Sequence, residues 1–158
     1  MNIKETLNAQ RQKKGLLIAA HRGTCGGDIT FNTIASYENA LRHKADIIEL
    51  DAAMTTDGVF YCFHDGTEFL VLGTTQNIRT MTSSHVEEQH IRNPSLDLTR
   101  DKVNRLEDAF EHLRGRCFIN VDRSWFYWKG DHHPDKKDAY GGTGDPQIPA
   151  KSGTPCAS

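Results

Sequence analysis

The sequence has no excess of either charge, and this absence limits the partners that it can attract. It contains 19 Lys and Arg residues against 21 Asp and Glu residues, so the formal net charge is −2 over 158 residues. A chain without an overall basic field does not attract nucleic acid or an anionic membrane surface over long distances. We therefore expect no nucleic-acid partner, and a phosphate-bearing small molecule would need a local binding site.

Long apolar segments and closely spaced cysteines are also missing. No window approaches the roughly 20 apolar residues that span a bilayer, and residues 1–15 form a polar lead without the apolar centre of a signal peptide. The four cysteines are far apart and form no CxxC pair, which argues against a structural zinc site and a dense disulfide framework. These absences predict a soluble, cytoplasmic protein without a transmembrane segment.

Most kinds of apolar residue are absent from residues 129–158. This segment contains four of the five prolines and five of the thirteen glycines, and it has no Leu, Val, Met, Phe or Trp. Such a composition cannot bury enough apolar surface to offset the entropy of an ordered chain. We predict a low-complexity, disordered tail over residues 129–158 and assign the folded domain to residues 16–128.

The folded segment is predicted to alternate strands with helices. Apolar runs that are typical of buried strands occur at residues 16–21, 47–51, 59–65 and 117–122. Helical segments separate most of these runs, and this order is typical of parallel strands joined by crossover helices. The sequence therefore predicts an α/β fold with about four parallel strands.

Three helices are predicted between the strands from apolar periodicity and capping residues. Ile34, Tyr37 and Leu41 recur at helical spacing, with Thr30 or Asn32 available as the N-cap residue. Ser84 and Glu87 fit a capping box for a short helix over residues 84–90. The third helix is predicted to begin at Asn104, paired with Glu107 as a cap, and to end before Gly115.

The pentapeptide IIELD places two carboxylates in a segment that otherwise resembles a buried strand. Glu49 and Asp51 are two residues apart, so their side chains share one face of a strand. Burying two like charges side by side is costly unless a cation or a group of donors lies between them. The pentapeptide alone leaves two explanations open: a bound divalent cation, or a solvated strand end where the acids pair with Arg or Lys.

Polar side chains also follow the other predicted strands at the same end. They are His21 with Arg22, His64 with Asp65, and Asp122. In a parallel barrel, the carboxyl ends of the strands are where catalytic residues from several strands converge. This common position favours a functional site that includes Glu49 and Asp51.

These motifs resemble those of the glycerophosphodiester phosphodiesterase family. The matching segments are HRG at residues 21–23, NT at 32–33, ADIIELD at 45–51, TTDG at 55–58, HD at 64–65 and INVD at 119–122. They follow the order of the family and cover roughly residues 16–125. The resemblance implies a TIM-barrel fold, and an enzyme that hydrolyses glycerophosphodiesters to an alcohol and glycerol 3-phosphate.

The resemblance also implies a role for each matching site residue. Glu49, Asp51 and Asp122 would be the ligands of one divalent cation, Mg²⁺ or Ca²⁺, both of which prefer oxygen ligands. His21 and His64 would act as general acid and base. Arg22 would hold the substrate phosphate, because a planar guanidinium matches two phosphate oxygens.

Three positions depart from the family pattern. Phe31 precedes the NT motif where the family commonly has Glu, and Asp122 stands where the family more often has Glu. Ser124 occupies the position of a family Lys. The neighbouring Arg123 would face away from the site in a regular strand, because side chains alternate between the two faces.

The length of the chain is the largest departure from the family. A TIM barrel takes about 250 residues and eight strands, whereas four strands are predicted here, so we expect a truncated member with the first half of a barrel. The alternative to an active enzyme is a catalytically inactive fragment that at most binds metal or phosphate esters. Unpaired strand edges in such a half barrel would favour a homodimer.

Overall fold

Four strands and five α-helices are present in residues 2–127, which the computed structural model describes. The predicted disordered tail lies outside these residues. Among the described helices, none is both long and apolar enough to cross a membrane. The strands are β1 (Ala19–His21), β2 (Ile47–Met54), β3 (Phe60–Cys62) and β4 (Phe118–Asp122). The helices are α1 (Ile3–Lys14), α2 (Ile34–Arg42), α3 (Glu68–Val71), α4 (Ser83–Glu88) and α5 (Leu106–Leu113).

Strand β2 lies between β1 and β4 and pairs with both in parallel. In this register His21 of β1 lies opposite Glu49, and Asp122 of β4 lies opposite Asp51. Helix α2 lies between β1 and β2 in the chain, and α5 immediately precedes β4. The carboxyl ends of the three parallel strands therefore meet at one edge of the sheet, as the sequence predicts.

Strand β3 does not follow the expectation of four parallel strands, because it pairs antiparallel with β2. Only residues 55–59 separate the two strands, and a parallel connection needs a crossover of about a dozen residues or more. The chain therefore turns back on itself, and Cys62 lies opposite Ala52. The amide of Phe63 then donates to the carbonyl of Asp51 at 3.1 Å, so the reversed strand brings the following His64 back towards the acids of β2.

The N-terminus of α2 is capped by Thr33 and not by Thr30 or Asn32. The Thr33 hydroxyl oxygen accepts from the Ser36 amide at 3.1 Å and donates to the Thr30 carbonyl at 2.6 Å. Asn104, predicted as the cap of α5, accepts from the Ile34 amide of α2 at 2.8 Å. These bonds satisfy amides of the first turn of α2, which have no partner within the helix.

The N-termini of the two later helices also differ from prediction, whereas the end of α5 agrees with it. The N-cap residue of α5 is Arg105, which makes no side-chain capping bond. Helix α4 is capped by Thr82 and not by Ser84. Gly115 follows α5 with a φ of 70°, in the left-handed region where glycine is favoured after a helix.

The polar lead at the N-terminus forms α1, a helix that the apolar periodicity did not predict. Asn2 accepts from the Glu5 amide at 3.0 Å, and the Glu5 carboxylate accepts from the Asn2 amide at 3.1 Å. This capping box was the local signal for the helix. Lys14, at the end of α1, pairs with Asp46 just before β2, and this ion pair fixes the helix to the sheet.

The apolar residues form two clusters on different sides of β2. The first packs Ile48 and Leu50 of β2 against helices α2 and α5. The second surrounds Tyr61 of β3 with the segment between β3 and α5. Because side chains alternate along a strand, packing Ile48 and Leu50 against the helices turns Glu49 and Asp51 to the opposite face of the sheet.

Candidate active site

Three carboxylates meet at the carboxyl ends of β2 and β4. Glu49 is 9% exposed, Asp51 is fully buried at 0%, and Asp122 is partly exposed. One oxygen from each of the three side chains lies within 4.8 Å of the other two. The structure therefore brings together all three residues that were predicted as metal ligands.

The two oxygens of the Asp51 carboxylate have different environments. Oδ2 accepts from Asn32 Nδ2 at 2.7 Å and lies 2.9 Å from Nε of Arg22. Oδ1 is buried and has no hydrogen-bond partner among the described residues. The ion-pair explanation therefore accounts for one oxygen only, and the full burial of Asp51 excludes a solvated strand end. An unpaired, buried carboxylate oxygen fits the donor set of a hard cation.

Asn32 is a site residue that the sequence predicts only as a possible helix cap and as part of the NT motif. Its side-chain oxygen accepts from the Asp51 amide at 3.2 Å and from the Tyr37 hydroxyl at 3.4 Å. Its φ of 56° is left-handed, a conformation that Asn adopts more readily than most residues. Because Asn32 binds both the backbone and the carboxylate of Asp51, it fixes the orientation of that acid.

Burial raises the pKa of the Glu49 carboxyl above its ordinary value. The Arg22 amide, which donates to Glu49 Oε2 at 2.9 Å, opposes this rise. The charges of Asp51 and Asp122 add to the rise, and His21 opposes it. The three carboxylates therefore repel one another when they are all ionised, and a cation between them would relieve that repulsion.

The loop after β1 turns Arg22 towards the acids through a left-handed backbone. Arg22 has a φ of 57°, and its guanidinium carbon lies 5.7 Å from the ring centre of Phe31, which stands where the family commonly has Glu. Gly23 has a φ of 76°, and a Cβ there would lie 2.5 Å from Oγ of Ser36. The loop can pack this closely against the start of α2 because the residue at position 23 is glycine.

The two predicted catalytic histidines reach the site from different strands. His21 ends β1 opposite Glu49, and it is exposed. His64 follows β3; its Nε2 lies 3.2 Å from Nη1 of Arg123, and its Nδ1 is buried without a partner among the described residues. His64 also lines a cleft together with Asn32 and Phe63. The catalytic roles of the two histidines stay predictions.

Two further residues of β4 and the following turn belong to the site. Asn120 lies opposite Glu49 in the register of β2 and β4. It is two residues from Asp122, and this spacing indicates in the sequence that both side chains share one face of the strand. Arg123 was predicted to face away, but it has a φ of 62° and its Nε lies 2.5 Å from Oδ1 of Asp65. The strand ends at Asp122, so the alternation of faces no longer applies to Arg123.

Comparison with known proteins identifies the family of this arrangement. The model of the Glycerophosphoryl diester phosphodiesterase family matches residues 21–126. Among curated proteins, a glycerophosphodiester phosphodiesterase of Bacillus subtilis (strain 168) is 50% identical over 50 residues. That alignment covers 32% of this chain and 17% of the Bacillus protein.

Solved structures agree with this match. A glycerophosphoryl diester phosphodiesterase from Parabacteroides distasonis ATCC 8503 is similar with a TM-score of 0.62 and 27% identity, over 66% of this chain and 37% of that chain. A glycerophosphodiester phosphodiesterase from Agrobacterium tumefaciens str. C58 has a TM-score of 0.60 and 34% identity, over 66% and 46% of the two chains. The match thus spans less than half of each relative. It confirms the α/β fold of the TIM-barrel type, of which the described residues form a part.

Proposed function

The chain belongs to the glycerophosphoryl diester phosphodiesterase family, and on this premise we propose that it hydrolyses glycerophosphodiesters to an alcohol and glycerol 3-phosphate. The observation that carries the proposal is the group formed by Glu49, Asp51 and Asp122, with one oxygen of each within 4.8 Å of the others. Arg22, His21 and His64, which follow or end neighbouring strands, are of the residue types that phosphodiester hydrolysis needs.

The three carboxylates would hold one divalent cation, Mg²⁺ or Ca²⁺. Their oxygens are the donors that both ions prefer. Oδ1 of Asp51, which has no hydrogen-bond partner within residues 2–127, supports this assignment. When bound, such an ion would neutralise negative charge that develops on the phosphoryl oxygens. As the family resemblance implies, the glycerol hydroxyl of the substrate would attack the phosphorus and expel the alcohol, and water would then open the cyclic phosphate, so the protein need not supply a nucleophile.

Arg22 would bind the phosphate of the substrate. Its side chain is 21% exposed, and its Nε is held 2.9 Å from Asp51. A guanidinium that is already held in place loses little conformational entropy when it binds two phosphate oxygens. His21 and His64 would move protons to and from the attacking and leaving oxygens, because an imidazole can both accept and donate a proton.

The test is the release of glycerol 3-phosphate from glycerophosphocholine by the purified chain. We expect release with Mg²⁺ or Ca²⁺, none with EDTA, and a loss of about 100-fold or more in His21→Ala, because general acid–base catalysis typically contributes that much. His43→Ala is the matched control, since His43 is exposed at the end of α2 and lies outside the site.

Two results would count against the proposal. Equal rates in His21→Ala and His43→Ala would place the catalysis elsewhere. No release from folded, metal-supplemented protein would leave the family membership intact and favour the alternative, a chain that at most binds metal or phosphate esters.

A further inference from the structure

Arg123 makes a contact with His64 that the family resemblance does not explain. Nη1 of Arg123 lies 3.2 Å from Nε2 of His64. The resemblance assigns no role to an arginine at this position, and the family Lys is replaced by Ser124. Arg123 directly follows the candidate metal ligand Asp122, and His64 is a candidate catalytic residue. The contact joins them although they are 59 positions apart in the chain.

Arg123 is held in this orientation by contacts other than the one with His64. Its Nε lies 2.5 Å from Oδ1 of Asp65, and its guanidinium carbon lies 5.2 Å from the ring centre of Phe126. Arg79 approaches the other oxygen of Asp65 at 3.6 Å and stacks on the same ring at 5.0 Å. The Arg123 side chain is 20% exposed. The guanidinium therefore faces His64 as a fixed donor.

The chemistry of this contact determines where the His64 proton lies. A guanidinium has only N–H donors and stays charged in proteins, so it cannot accept a hydrogen bond. A proton on Nε2 would point one donor at another, whereas an unprotonated Nε2 can accept from Arg123. Nδ1 has no hydrogen-bond partner among the described residues, so no contact there favours either tautomer.

We propose that Arg123 is a positioning residue that holds His64 in the neutral tautomer, with its proton on Nδ1 and with Nε2 accepting from the Arg123 guanidinium. An isolated neutral histidine side chain prefers the opposite tautomer, with the proton on Nε2. The contact with Arg123 reverses this preference. The consequence for catalysis rests on the proposed function: His64 would accept a proton at Nε2 only once Arg123 releases that nitrogen.

The tautomer can be measured without substrate. Long-range proton–nitrogen correlation spectra of the metal-free, ¹⁵N-histidine-labelled chain, recorded at a pH where the imidazoles are neutral, distinguish a protonated Nδ1 from a protonated Nε2. The His64→Gln variant identifies the His64 signals among those of the eight histidines. We expect the wild-type His64 signals to show the proton on Nδ1.

Two arginine variants separate the tautomer effect from a general loss of structure. Arg123→Met keeps a side chain of similar length but removes the donors, so we expect the major His64 tautomer to change from Nδ1–H to Nε2–H. Arg79→Met is the matched control, because Arg79 contacts the same Asp65 and the same Phe126 ring. We expect this control to keep the wild-type tautomer.

Either of two results would overturn the proposal. One is a wild-type His64 with its proton on Nε2, which needs no variant and so remains decisive if Arg123→Met does not fold. The other is a folded Arg123→Met variant with the wild-type tautomer. Neither measurement depends on turnover, so an inactive chain would refute the proposed function without deciding the state of His64.

Discussion

Glu49 shows how the fold changes the chemistry of a single residue. The carboxyl lies on a buried strand beside Asp51 and Asp122, and its pKa is raised chiefly because burial disfavours the charged form. The ionised carboxylate, which burial makes costly, is also the group that would bind a cation. A site of this kind is less stable empty than filled, and this property can be tested.

The first prediction concerns Glu49→Gln in the presence of EDTA. The folded protein binds the Glu49 proton more tightly than the unfolded chain, so wild-type stability should fall as the pH rises from the ordinary carboxyl pKa through the raised folded value. Gln cannot ionise but can still accept from the Arg22 amide. We expect the variant to melt at a higher temperature than wild type at neutral pH, and to lose this advantage below the ordinary carboxyl pKa.

Added Ca²⁺ or Mg²⁺ provides the control for this prediction. A cation that binds only the folded state stabilises it in proportion to the logarithm of its concentration, so wild type should gain more than Glu49→Gln. A variant that melts below wild type in EDTA at neutral pH would show that the ionised carboxylate is stabilising without metal.

At the scale of secondary-structure elements, the short N-terminal turn of α2 connects distant parts of the chain. The Asn104 side chain, which lies before α5, accepts from the Ile34 amide, and Asn32 before α2 binds Asp51 of β2. Local pattern predicted both residues as caps of the helix nearest to them. In the structure, each of these side chains bonds to a different element from the helix that it precedes, because β2, α2 and α5 pack into one apolar cluster.

The second prediction tests the bond between Asn104 and α2. We expect Asn104→Ala to lower the free energy of unfolding by about 1 kcal/mol, the usual cost of removing a helix-capping acceptor. Hydrogen exchange should become faster at the Ile34 amide and stay unchanged at the first amides of α5. Asn104→Asp keeps an acceptor and should remain close to wild type. Faster exchange confined to α5 would support the sequence-based capping role instead.

At the scale of the whole molecule, two edges of the sheet have no strand partner among the described residues. Strand β1 pairs only with β2, and so does β4. Residues beside β1 expose apolar side chains, with Leu16 at 62% and Ile18 at 49%. Exposed strand edges flanked by apolar side chains favour pairing with another chain. The homodimer expected from the sequence therefore stays a prediction with a physical basis.

The third prediction concerns Ile18→Lys and the oligomeric state. We expect wild type to show a dimer fraction that increases with concentration in sedimentation velocity. The variant should shift towards monomer, because a lysine beside an open strand edge discourages pairing. Leu98→Lys is the control, since Leu98 is 71% exposed and lies outside the strands. Wild type that stays monomeric at every concentration would contradict the dimer.

The sequence alone indicated that three carboxylates meet at one edge of the sheet, and it predicted most of the elements around them. The alternation of side chains along a strand placed Glu49 and Asp51 on one face of β2. Apolar periodicity located α2 and α5, and the order of the motifs indicated the family. These signals are local, because a side chain's face and a helix's apolar stripe depend on residues within a few positions. Local pattern was therefore sufficient for the three carboxylates, but it missed the contacts of Asn32 and Arg123.

Only the tertiary structure decided how these residues meet. The short turn before β3 reversed that strand, the packing of α2 drew Asn32 to Asp51, and the left-handed backbone at Arg123 turned its guanidinium to His64. Each of these contacts joins residues far apart in the chain. A periodic pattern cannot specify such pairs, because they depend on where folding places two distant segments of the same chain.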